Sequence, residues 1–146
     1  MICKRCSRWY EKQPRPNTIL HGTCSDLCEV CIAQNYREYK RMYSNLSRTN
    51  GTQLVRTLTL PQWIATLDYF RWKCAYCQKE PYQAFEHFIP MSLGGGTTVD
   101  NCVPACARCD GTKASKHPDN VTGIPREDIE RVYEFLTNPK IASKTP

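Results

Sequence analysis

A chain of 146 residues has room for one compact domain, or a small domain with an extension, and buries too little surface to rest on an apolar core alone. The formal charge of +6, from 20 Lys and Arg against 14 Asp and Glu, points to a polyanionic partner. No segment approaches the length of a membrane span and Met1 to Cys6 holds no apolar signal sequence, so neither a membrane protein nor a secreted one is expected, and a reducing, cytoplasmic setting is.

Cysteine supplies the missing stabilisation. Eight of the ten cysteines fall into four Cys-x-x-Cys pairs: Cys3 and Cys6, Cys28 and Cys31, Cys74 and Cys77, Cys106 and Cys109. Secreted disulfide frameworks seldom repeat that pair, whereas each such turn aims two thiolates at one tetrahedral ion, so two turns close a four-sulfur zinc site. Two structural zinc ions are therefore expected, one on Cys3, Cys6, Cys28 and Cys31 and one on Cys74, Cys77, Cys106 and Cys109. Cys24 or His21 could replace a ligand of the first ion, and Cys102 reads as a buried thiol.

In chain order, residues 1–34 read as a zinc ribbon or finger, with Pro14, Pro16 and Gly22 arguing against regular structure in its central loop. Residues 35–57 read as a basic helix and a connector. The stretch EVCIAQNYREYKRMYSNL, which begins within the first module, has no Gly or Pro, and Ile32, Tyr36, Tyr39 and Tyr43 recur at helical spacing, so the tyrosines are assigned to packing against the neighbouring module. Arg37, Lys40, Arg41, Arg48 and Arg56 stand against Glu38 as the one acid between Tyr36 and Arg56, a distribution that suits a phosphate backbone. Ser47 to Arg56, with Asn50-Gly51, reads as a mobile polar link.

Residues 58–120 read as the core of the chain. Thr59-Leu-Pro-Gln62 is a capping box that opens a helix with Trp63, Ile64, Leu67 and Phe70 on its apolar stripe. A strand is expected over Ala84 to Ile89, a flexible loop at Gly94-Gly95-Gly96, a second strand over Val99 to Pro104 and a helix from Cys106 to Lys116. Residues 121–146 add a closing helix from Pro125 to Asn138, with Glu127 and Asp128 in its first turn and Ile129, Val132, Tyr133 and Leu136 as its apolar set; no order is expected after Pro139. The fold class is α+β.

One stretch carries more than structure. Cys74-x-x-Cys77, Glu86-His87-Phe-Ile-Pro90, Gly94-Gly95, Asn101 and Cys106-x-x-Cys109-Asp110-Gly-Thr-Lys113 occur in the order that is similar to HNH endonucleases, over Leu58 to about Pro118. The resemblance implies a ββα-metal core, two strands and a helix gripping one ion, with an N-terminal zinc module added as in compact two-zinc HNH restriction enzymes or phage nucleases. It implies hydrolysis of DNA phosphodiester bonds, with His87 as general base for water and with Glu86 and Asp110 as oxygen ligands. Oxygen ligands with open water positions favour magnesium or manganese over softer ions. Asn101 corresponds to the family's middle Asn, expected to tie the loop and hold the His87 ring in a productive tautomer. Neighbours on a strand face opposite ways, so Glu86 and His87 are expected to flank the phosphate from two sides.

Glu86 and Asp110 depart from the commoner Asp and Asn or His of the family, which makes the expected site carboxylate-rich. Lys113, three residues after Asp110 on nearly the same helix face, is expected to meet a phosphate oxygen, with Arg37, Lys40, Arg41 and Arg48 as further DNA contacts and Lys116, His117 and Arg108 as weaker ones. The expected partner is double-stranded DNA in a bacterial or phage-infected cell. A two-fold homodimer would cut both strands, and a monomer would mainly nick. The competing reading is a zinc module that binds DNA or protein without cutting.

Overall fold

In a computed structural model of the chain, residues 1–11 and 26–138 are described. The proline-containing loop, the alternative ligands His21 and Cys24, and the tail after Pro139 lie outside them. The chain divides into two compact units, Met1–Arg41 and Met42–Pro146, with the division falling inside the first helix. The fold is α+β, four helices and one two-stranded sheet among the described residues, and no helix there is long and apolar enough to cross a membrane.

Helix α1 (Glu29–Arg48) begins on an acid and ends on a base, as the helix dipole favours. Its phase is set by Cys31, which must face its sulfur partners. At about 100° per residue Glu38 and Met42 share the side of Cys31, and both are buried. Tyr36 and Tyr43 fall on the opposite side and are 44% and 60% exposed, which corrects the expectation that the tyrosines pack inward; Tyr39, at the rim, is half-buried. The Lys40 ammonium lies 5.1 Å from the centre of the Tyr36 ring.

Within the second unit, the segment after α1 is tied down rather than loose. Thr49 is buried, and the backbone of residues 55–58 runs beside Thr97: Thr97 N–H donates to Val55 O at 2.9 Å, and Thr97 O accepts from Thr57 and Leu58 N–H, each at 3.1 Å. Helix α2 (Leu60–Tyr69) starts with the expected capping box, the Thr59 hydroxyl accepting from Gln62 N–H and the Gln62 side chain accepting from Thr59 N–H. It buries Trp63, Ile64, Thr66 and Leu67, with the Trp63 ring 4.3 Å from that of Phe85.

Phe85 lies on β1 (Ala84–His87), which pairs antiparallel with β2 (Cys102–Ala105) in the register Glu86 to Val103 and His87 to Cys102. Both strands are shorter than expected, because one side chain takes over the ladder. Phe88 N–H still donates to Asn101 O, but Ile89 N–H donates to the Asn101 side-chain Oδ1. Helix α3 (Ala107–Lys113) is capped by the Cys106 sulfur, which accepts from Cys109 N–H. Helix α4 (Arg126–Thr137) buries Ile129, Val132, Phe135 and Leu136; Phe135 takes the place expected for Tyr133, which stays at the solvent rim. Arg131 of α4 donates to the carbonyls of Ala75 and Tyr76, joining this helix to the turn between Cys74 and Cys77.

Candidate metal centres and active site

Two sulfur cages form, one from Cys3, Cys6, Cys28 and Cys31 and one from Cys74, Cys77, Cys106 and Cys109, the sulfurs of each lying within 4.8 Å of one another. Each joins a tight turn to the start of a helix. In both turns the residue after the second cysteine is left-handed, Ser7 at φ 57° and Gln78 at φ 55°, and its N–H closes the turn on the carbonyl of Cys3 or Cys74. Sulfur separations of 3.7 Å for Cys3 to Cys31, 3.6 Å for Cys6 to Cys28 and 4.0 Å for Cys77 to Cys106 are far too long for disulfides. They match the edge of about 3.8 Å that four sulfurs make around zinc at about 2.3 Å. The donor set fits two structural zinc ions. Cys102 is buried apart from both cages.

The second cage anchors α3 against β1, and the two carboxyl groups meet there. Glu86 is buried and Asp110 half-buried, and the Asp110 carboxyl group acts on that of Glu86. Burial first, then Asp110, pushes Glu86 up to about 8 against the opposing pull of Lys113. A buried carboxyl pair of this kind is relieved by a cation, so the donors suit a hard divalent ion. Tyr76 lies beside them: its phenol is raised well above the ordinary range by burial and then by Glu86, and its buried hydroxyl has no hydrogen-bond partner.

Lys113 is not where sequence reasoning put it. Its side chain is fully buried, its Nζ 2.5 Å from Glu86 Oε1 and 3.0 Å from the His87 carbonyl, so the ammonium is held against Glu86 and cannot reach a solvent phosphate. The i to i+3 spacing from Asp110 does set it on the same side of α3, but that side faces the strand.

His87 points away from Glu86, as strand alternation requires. Its ring is buried, with Nε2 2.9 Å from Thr97 Oγ1 and the Phe85 ring 5.5 Å away. Burial, with the charges of Arg48 and Lys113, lowers its pKa to about 4, which leaves the imidazole neutral at physiological pH. Asn101 ties the loop by three bonds: Oδ1 accepts from Ile89 N–H at 2.8 Å, and Nδ2 donates to Ile89 O at 3.0 Å and Gly96 O at 2.8 Å. It makes no bond to the His87 ring; Thr97 does, a residue that sequence reasoning missed. Gly95 is needed because an added Cβ would sit 1.7 Å from Ile89 O.

Of the remaining basic candidates, Arg48 is exposed and close enough to act electrostatically on His87. Arg37, Lys40 and Arg41 are exposed along α1, with Arg41 3.4 Å from Glu38. Lys116 and Arg108 are exposed, and His117 pairs with Asp119.

This arrangement, an acid and a histidine at the end of one strand, an asparagine loop tie and a sulfur-capped helix returning a second acid, has a counterpart among known families. Residues 74–123 match the HNH endonuclease family. A curated relative, the type IV methyl-directed restriction enzyme EcoKMcrA of Escherichia coli (strain K12), is 29% identical over 115 residues, covering 63% of this chain and 41% of the relative. The chain therefore spans about two fifths of the curated relative it matches.

Proposed function

We propose that the chain is a metal-dependent DNA endonuclease that hydrolyses phosphodiester bonds with one divalent ion. The observation that carries this reading is the buried Glu86 carboxyl group and the Asp110 carboxyl group that acts on it, with His87 on the opposite face of the same strand, all within the residues that match the HNH endonuclease family. Glu86 and Asp110 would hold magnesium or manganese, which supplies charge stabilisation at the scissile phosphate and the leaving 3′-oxygen. His87, neutral, accepts a proton from water as its oxygen bonds to phosphorus and the bond to the 3′-oxygen breaks. Lys113, 2.5 Å from Glu86, holds that carboxyl group in place and favours its charged form. Arg48 binds a phosphate next to His87, and the exposed Arg37, Lys40 and Arg41 of the first unit offer further phosphate contacts.

The relative's name motivates a restriction-type role on modified DNA. Supercoiled plasmid from methylating and non-methylating hosts, incubated with zinc-loaded protein and magnesium or manganese, tests the reading. Nicked or linear product supports it, with linear product marking paired sites in a homodimer and nicked circles marking one site alone. Greater cutting of the methylated plasmid supports the restriction-type role. Plasmid left intact in both metals overturns the nuclease reading and leaves a zinc module that binds without cutting.

A further inference from the structure

The contact between His87 and Thr97 has no counterpart in the acid, histidine, asparagine and lysine set that the sequence suggested. Thr97 is fully buried, and its hydroxyl oxygen is 2.9 Å from His87 Nε2, in a ring pocket that is itself buried. Its backbone is held on both sides by the segment after α1, through Val55 O, Thr57 N–H and Leu58 N–H. The hydroxyl therefore has little freedom to drift. Asn101, which fastens the same loop at Ile89 and Gly96, holds Thr97 from its N-terminal side.

We propose that Thr97 is a positioning residue for the hydrolytic reaction: its hydroxyl oxygen accepts Nε2–H of His87, fixing the ring and leaving the Nδ1 lone pair to take the proton from water. This rests on the nuclease reading above. A neutral imidazole has one N–H and one lone pair, and the partner of one nitrogen decides which is which. A hydroxyl oxygen that accepts Nε2–H serves the ring before and after proton uptake, since the imidazolium keeps that N–H. A hydroxyl that donated to Nε2 would have to rotate within each turnover. The connection also gives the segment 55–58 a task, because it holds the backbone of the residue that aims the base.

The test uses the zinc-loaded full chain. Long-range proton–nitrogen spectra of the 15N-labelled protein report the protonated nitrogen of each imidazole, and with three histidines in the chain His87 is assigned by its loss in His87→Ala. In the parent protein His87 is expected as the Nε2–H form. Thr97→Val keeps the shape but removes the acceptor; the spectrum is expected to move to the other tautomer or to a mixture. The plasmid cleavage rate should fall about 10–100-fold, the loss seen when a ring-orienting partner is removed at metal-bound histidines, with little change in KM. Thr97→Ser restores both the spectrum and the rate.

An Nδ1–H tautomer in the parent protein overturns the proposal, and that spectrum does not depend on Thr97→Val folding. So does a Thr97→Val protein with two zinc ions that cuts at the parental rate. A parent protein that shows Nε2–H and cuts nothing defeats the nuclease reading instead, which separates the two failures.

Discussion

Replacing Asn101 removes the fastening of the loop that carries Gly95, Gly96 and Thr97. Its amide makes three hydrogen bonds of 2.8 to 3.0 Å, two of them to both backbone groups of Ile89, at a position that is 8% exposed. At about 0.5–1.5 kcal/mol net for each bond, Asn101→Ala is expected to cost about 3 kcal/mol. That is a large part of the roughly 5–15 kcal/mol that holds a domain together. With a urea slope of about 1–3 kcal/mol per molar, the unfolding midpoint followed by tryptophan fluorescence should drop by about 1–3 M. Asn101→Asp is the sharper variant. At neutral pH it sets a carboxylate against the carbonyl oxygens of Ile89 and Gly96, so it should be at least as unstable as the alanine variant. The misfit raises the folded-state pKa of the introduced carboxyl group above its unfolded value of about 3.9, so the deficit is smallest below that value and grows as pH rises through the folded pKa. A loss under about 1 kcal/mol in Asn101→Ala, or an Asn101→Asp deficit that grows on acidification, would refute the assigned bonding.

Lys113→Met leaves the buried Glu86 carboxyl group and the His87 carbonyl without their partner and is expected to cost about 1–3 kcal/mol. Adding Glu86→Gln should recover part of it, checked by a double-mutant cycle on thermal melts. Gly95→Ala drives a Cβ into Ile89 O and is expected to cost about 1–3 kcal/mol or more, with a matching fall in melting temperature and cleavage. Metal analysis should find two zinc ions per chain, and Cys6→Ser and Cys77→Ser should each lose one; a single ion in the parent protein contradicts the two-cage structure.

What the sequence made legible was mostly local. The four Cys-x-x-Cys turns, the capping box at Thr59 and the acid-histidine pair before Pro90 each state their geometry within a few residues, and the cages, α2 and β1 follow from them. The misreadings were tertiary. Tyr36 and Tyr43 have helical spacing, but the phase of α1 is decided by Cys31 and its sulfur partners. Lys113 looks like a surface lysine until β1 brings Glu86 to it. Thr97 sits among small residues with no motif of its own, and its importance appears only when His87 lies against it. The segment from Ser47 to Arg56 is polar enough to read as mobile, yet its backbone finds partners in Thr97.

The central claim, a hydrolytic site built on His87 and a carboxyl-bound divalent ion, is tested most directly by comparing zinc-loaded parent, His87→Ala and Asp110→Ala on supercoiled plasmid with magnesium. The account expects nicked or linear DNA from the parent. It expects losses of about 100-fold or more in both variants, which should keep two zinc ions and near-parental melting temperatures. Cutting by His87→Ala at the parental rate would contradict it.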